Sequence, residues 1–189
     1  IYPTPVIGGV GLIKKLSNLL SHNFKKVNST IILIGKTFGH IEQSCFLKEN
    51  YSIIDGMPPE INLLNEKNNG ESLLKLIDKN LILSAHDISS GGLITALAEM
   101  ALKSDHGAKI HKPKKLTNLF KYFFGEDQAR YIIETQTQNL PTIEKILRES
   151  NIYYENIGFT QENYFEIEGE LKISTKDLFN INNQWYNNY

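Results

Sequence analysis

The stretch His86-Asp87-Ile88-Ser89-Ser90-Gly91-Gly92 sets an imidazole, a carboxylate, two hydroxyls and paired glycines at the point where an apolar run gives way to an alanine-rich segment. A carboxylate at the carboxyl end of a strand suits Mg²⁺, a hard cation usually held by one or two carboxylates together with phosphate oxygens and water. A helix start carries unpaired backbone N–H groups, and glycines let a phosphate approach them closely. Asp87 is therefore the candidate metal ligand. Ser89, with Ser90 as the alternative hydroxyl, and the backbone of Gly91 and Gly92 are the candidate phosphate contacts. The same residues also suit a purely structural turn, with Ser90 capping the helix, the glycines turning the chain and Asp87 bonding loop amides. Local chemistry favours neither reading.

A second constellation is FFGEDQARYIIE, residues 123–134. Two adjacent acids and an amide, Glu126, Asp127 and Gln128, stand at the entrance of a strand led in by Arg130. They suit either a bound ligand or ion pairing with the arginine, and pairing is the commoner outcome for such neighbours. Gly35-Lys36-Thr37 after a strand invites a phosphate-loop reading, but that loop needs a glycine five positions earlier, where Thr30 stands. The five histidines are scattered, with no second ligand three or four positions away, so no zinc site is expected. Cys45 reads as a small buried hydrophobe rather than a nucleophile.

These groups need strands and helices to hold them. TIILIG (30–35) is a β-branched run ending at glycine and predicts a buried strand; LILSA (81–85), 107–111, 130–135, 153–159 and 164–173 predict others. The apolar run PVIGGVGLI (5–13) predicts a strand or a strand with a turn, followed by short helical periodicity over 14–22. Helices are expected over 41–49, 60–66, 70–79, 91–103, 116–124, 140–150 and 175–186, with Asn68-Asn69-Gly70 separating the second from the third. Pro141 sits in the first turn of the 140–150 helix, whose Ile143, Ile146 and Leu147 share a face. Strands and helices alternate, so the expected class is α/β or α+β, a mixed sheet covered by helices.

With 189 residues, 41% of them hydrophobic and 22% charged, the chain can bury a sizeable core, and one domain over 1–189 is the default. A net charge of -1 argues against a nucleic-acid binder, which needs a basic face to neutralise phosphates. The basic run at 109–115 contains His111 and Pro113 and reads as a solvated loop. The single cysteine permits no intrachain disulfide and suits a reducing, cytoplasmic setting. No run of about 18 apolar residues predicts a membrane span. An opening on Ile1-Tyr2-Pro3, without methionine or signal pattern, leads us to expect a fragment of a longer chain.

Three stretches in order, PTPVIGGVGLI (3–13), HDISSGGLITALAEMA (86–101) and FFGEDQARYIIE (123–134), resemble the phosphoribosylformylglycinamidine synthase family, within the superfamily of aminoimidazole ribonucleotide synthetase; GKTFGHIEQSCFLKE (35–49) adds a less specific likeness. The likeness spans nearly the whole chain and is to the last domain of the small-chain bacterial type. It implies a fold like the C-terminal domain of aminoimidazole ribonucleotide synthetase. It implies part of an ATP- and Mg²⁺-dependent ligase that converts formylglycinamide ribonucleotide to the formylglycinamidine using ammonia from glutamine. The partners implied are the upstream domains of the same chain, a glutaminase subunit and a small accessory subunit. The catalytic residues would lie upstream, with none here.

In large-chain members the Asp matching Asp87 binds Mg²⁺, and the Ser matching Ser89 contacts nucleotide at an auxiliary site. In the first-half copy of the domain, the segment matching Glu126 to Gln128 contacts substrate, which makes Glu126 and Gln128 candidate substrate contacts by pseudo-symmetry. Two departures bear on this. Ser90 stands where the family often has Asp, and Glu42-Gln43 replace a commoner glycine pair before Ser44. The alternatives are a non-catalytic docking module, or a domain of another superfamily member of the selenophosphate synthetase or thiamine-phosphate kinase type.

Overall fold

The structure, a computed structural model, describes residues 5–13, 15–113 and 118–187. The first two residues of PTPVIGGVGLI and the end of the basic run at 109–115 lie outside the described residues. The elements in chain order are β1 (Thr30–Ile34), α1 (Cys45–Tyr51), α2 (Leu63–Asp78), β2 (Ser84–Asp87), α3 (Gly92–Leu102) and β3 (His106–Ile110). These are followed by α4 (Leu119–Phe124), β4 (Tyr131–Thr135), α5 (Leu140–Glu149), β5 (Tyr154–Glu162), β6 (Tyr164–Ile167), β7 (Leu171–Ser174) and α6 (Thr175–Asn187). The strands form one sheet in the order β2-β4-β1-β5-β3-β6-β7. Every neighbouring pair is antiparallel except β3 with β6. The class is α+β, with a mixed sheet covered by helices.

The β-branched run at β1 is buried along its whole length because helices cover both faces there. Successive side chains of a strand point to opposite faces. Ile31 and Leu33 accordingly join Leu93, Leu97 and Met100 of α3 and Tyr122 and Phe123 of α4. Ile32 and Ile34 join Leu76 of α2 and Ile143 and Leu147 of α5. The buried carboxylate of Glu134 on β4 accepts from the Lys25 and Lys26 amides at 2.8 and 3.0 Å and from the Ser84 hydroxyl at 2.9 Å, tying the loop before β1 to β2.

Several expectations change: the strand expected over 164–173 divides into the antiparallel pair β6 and β7, and Cys45 is half-buried rather than enclosed. PVIGGVGLI forms no strand; Val6, Ile7, Val10 and Leu12 are 94, 93, 103 and 95% exposed, without an apolar surface to pair or pack against among the described residues. The helix break at Asn68-Asn69-Gly70 is absent, and α2 runs through it. Asn69 turns inward and its Nδ2 donates to the Ala129 carbonyl at 2.7 Å, so a polar residue that would favour a turn has a partner across the fold. The strand expected over 81–85 moves to Ser84–Asp87, because its register is set by β4, with Ser84 opposite Glu134 and Asp87 opposite Tyr131. That shift puts His86 and Asp87 inside the strand.

Candidate functional site

β2 delivers Asp87 to the sheet's edge, and the chain then turns through Ile88, Ser89 and Ser90 into α3. Ile88 is buried and its amide donates to the Arg130 carbonyl at 3.0 Å, which anchors the turn to the start of β4. Gly91 and Gly92 both adopt left-handed backbone, with φ of 83° and 72°. A Cβ on Gly92 would lie 2.7 Å from the Gly125 carbonyl oxygen and 2.8 Å from that of Phe123, so this glycine is required by close backbone packing as well as by φ. The helix is capped by Gly91, without a side-chain cap. Ser90 thus does not serve as the cap, and both serines are exposed.

The amide of Gly91 already has an anion. Glu126 Oε1 accepts from Gly91 N–H at 2.7 Å and from Cys45 N–H, the first residue of α1, at 2.8 Å. A carboxylate at helix N-termini is favoured by the unpaired amides and the positive end of the dipole. Asp127, 5% exposed, does the same for the loop after β1. Its Oδ2 accepts from the Phe38 and Gly39 amides at 3.0 and 2.9 Å, and its Oδ1 from the His40 amide at 3.1 Å. Arg130 is fully enclosed. Its guanidinium donates to the Asp127 carbonyl at 3.1 Å, the Gly125 carbonyl at 2.5 Å and Thr37 Oγ1 at 3.2 Å, with Asp127 Oδ2 at 3.9 Å. Burial pulls its pKa down from the usual value, while Asp127, Tyr122 and Glu126 oppose that shift.

Asp87 itself points outward, with 69% of its side chain exposed, and its Oδ1 lies 3.3 Å from His86 Nδ1. His86 Nε2 meets Glu99 Oε2 at 2.9 Å, and its ring centroid is 5.0 Å from that of His22. Burial, then the neighbouring His86 and Lys103, lower the His22 pKa. Among the described residues no three His, Cys, Asp or Glu side chains converge as a metal cage. One exposed carboxylate beside two exposed hydroxyls fits Mg²⁺ held jointly with a phosphate rather than a protein-only site.

Gln128 is exposed and lines a cavity of about 330 Å³ with Phe38, His40, Asn62, Asn65 and Asp127. The next residue, Ala129, holds φ of 58°, unusual for a side chain with a Cβ, and its carbonyl is the acceptor of the Asn69 bond. The structure therefore brings the two constellations together. Glu126 touches the Asp87–Gly92 turn directly, whereas Gln128 faces a separate cavity. Sequence reasoning misses Asn69 and Thr37 as supports of this site; a polar amide within an otherwise helical run is the one signal that could have found Asn69, and the Gly35-Lys36-Thr37 triplet gives no sign that Thr37 receives Arg130. Gln43 adopts φ of 53°, a conformation that glycine would hold at less cost.

Residues 26–167 match the family described as AIR synthase related protein, C-terminal domain. The chain is 47% identical over its full length to the phosphoribosylformylglycinamidine synthase subunit PurL of Pelagibacter ubique, and 35% identical to that of Rhodopseudomonas palustris, covering 26% of each. The chain thus spans about a quarter of the length of these relatives. In fold it is similar to T. maritima PurL complexed with FGAR, with a TM-score of 0.75 at 17% identity over 87% of this chain and 30% of that one. It is more distantly similar to thiamine-monophosphate kinase from Stenotrophomonas maltophilia, with a TM-score of 0.55 at 14% identity over 80% of this chain and 53% of that one.

Proposed function

The chain belongs to the AIR synthase related family, C-terminal domain, and from that premise we propose that it is the C-terminal domain of a synthetase subunit that makes formylglycinamidine ribonucleotide in the cytoplasm. The observation that carries the reading is 47% identity along the entire chain to a subunit named for that activity. In this reading the subunit uses ATP, Mg²⁺ and ammonia released from glutamine by a separate glutaminase, with a small accessory subunit in the complex. The reacting groups belong to upstream domains, and the present domain has no turnover alone.

Its own contribution is a ligand wall. Asp87 offers a carboxylate to Mg²⁺ and Ser89 a hydroxyl to a nucleotide phosphate, while Gly91 and Gly92 give the turn its shape. Support comes from the exposure of Asp87 and the serines at the end of β2. Gln128 is the exposed polar side chain of its segment that lines the cavity, and it is the proposed contact for a polar substrate group there. Glu126, the other substrate contact that the resemblance implies, has Oε1 occupied by two amides and is proposed to shape that wall rather than to touch ligand.

The test is Asp87→Asn in the full-length subunit. Loss of Mg²⁺-dependent nucleotide occupancy in this half with an unchanged melting temperature is expected. Unchanged occupancy with reduced stability favours a second reading, a scaffold and docking domain, which the use of Glu126, Asp127 and Arg130 as internal ties supports. Robust turnover by the isolated 189-residue chain overturns the proposal that the reacting groups lie elsewhere.

A further inference from the structure

We propose that Glu126 is a positioning residue that couples the Asp87–Gly92 turn to the loop and helix start at Phe38–Cys45. A single oxygen, Oε1, accepts both the Gly91 amide at 2.7 Å and the Cys45 amide at 2.8 Å. Displacement of one amide therefore moves the acceptor of the other. The backbone of Glu126 strengthens the tie, since its own amide donates to the His40 carbonyl at 2.8 Å. One residue on, Asp127 fixes the Phe38, Gly39 and His40 amides, so the segment 38–45 is held at both ends by adjacent carboxylates.

Close backbone packing beside the turn supports the tie. Gly92 packs against the Phe123–Gly125 backbone too closely for a Cβ, and Arg130 holds the Gly125 carbonyl from the other side. Phe38 and His40 line the cavity that Gln128 faces, so the tie runs from the Asp87 turn to the wall of that cavity. The inference rests on the reading that Asp87 and Ser89 hold nucleotide and Mg²⁺. It adds that occupancy there is transmitted through one carboxylate oxygen to the second cavity.

Hydrogen exchange followed by mass spectrometry on the full-length chain, with and without Mg²⁺·ATP, tests it. In the native protein, ligand should slow exchange in 86–93 and also in 38–47, the latter by about fivefold, the scale of one hydrogen bond. Asp87→Asn should abolish both responses, separating this half from nucleotide bound elsewhere in the chain. Glu126→Ala should keep the response in 86–93 and lose it in 38–47, whereas Glu126→Gln, which retains an oxygen acceptor, should restore most of it. If Glu126 is purely structural, Glu126→Ala speeds exchange in 38–47 by the same factor with and without ligand, so that the ligand response there survives, and that result overturns the coupling. An 86–93 segment indifferent to Mg²⁺·ATP overturns the nucleotide reading and the coupling with it.

Discussion

Arg130 holds its charge out of contact with water, and its three hydrogen-bond partners all belong to the loops that frame the site. Removing it strands two buried carbonyls and leaves Asp127 without its nearest cation. Arg130→Met should therefore lower stability by about 3–5 kcal/mol, as measured by urea unfolding. Arg130→Lys should recover little, because an ammonium lacks the planar fork that reaches Gly125, Asp127 and Thr37 together. A loss below about 1 kcal/mol in either variant would contradict this role.

Glu155 sets a second residue-scale effect. Its Oε1 accepts from the Tyr153 hydroxyl at 2.7 Å and its Oε2 from that of Tyr122 at 3.3 Å. The hydrogen bond to Glu155, followed by burial, pushes the Tyr153 pKa up to about 12, and burial raises that of Tyr122 further. A phenol ordinarily ionises near 10, so between about pH 10 and 12 the unfolded chain has lost the proton that the folded chain keeps. The stability associated with this phenol is complete below about pH 10 and is lost as the pH rises through the folded value. Tyr153→Phe should make the alkaline fall in melting temperature shallower across that window; an unchanged slope would exclude the effect.

At the scale of elements, two glycines predict opposite outcomes. Gly92 combines φ of 72° with backbone atoms 2.7 Å from the position a Cβ would take, so Gly92→Ala must displace the end of α4 from α3. A loss of about 2–4 kcal/mol is expected from strain and overpacking together. Gly70 lies inside α2 with the nearest atom, the Tyr131 hydroxyl, 3.7 Å from a Cβ and without positive φ. Gly70→Ala should raise stability by about 0.5–1 kcal/mol, the usual helix-interior difference. Thermal or urea unfolding of the two variants side by side reads both signs.

At the scale of the whole molecule, apolar side chains remain uncovered in one continuous stretch, with Val6, Ile7, Val10 and Leu12 each above nine-tenths exposed. Such a run is a surface for contact or aggregation. A chain carrying Val6→Ser, Val10→Ser and Leu12→Ser should bind less of a hydrophobic dye than the native 189-residue chain, with the melting temperature unchanged because these residues pack on nothing in the described fold. Equal dye binding would locate the exposed apolar surface elsewhere, for instance at Ile53, Ile54 and Met57.

Local patterning is sufficient for β1, α3 and α5, because β-branched runs and helical spacing of apolar residues report burial directly. The resemblance of HDISSGG and GEDQAR to a family is likewise legible from residue order alone. Pairing and long-range partners are not. The position of β2 depends on register with β4, the continuity of α2 on the Ala129 carbonyl that receives Asn69, and the roles of Glu126 and Asp127 on amides 35 to 89 residues away. Hydrogen-bond satisfaction is a property of the folded environment, and a carboxylate's sequence neighbours do not disclose which buried amides it will reach. Residue order alone carries the helix-covered sheet and the groups gathered at the turn; that Glu126 closes the α3 N-terminus while Asp87 stays open to solvent follows from contacts that form only on folding.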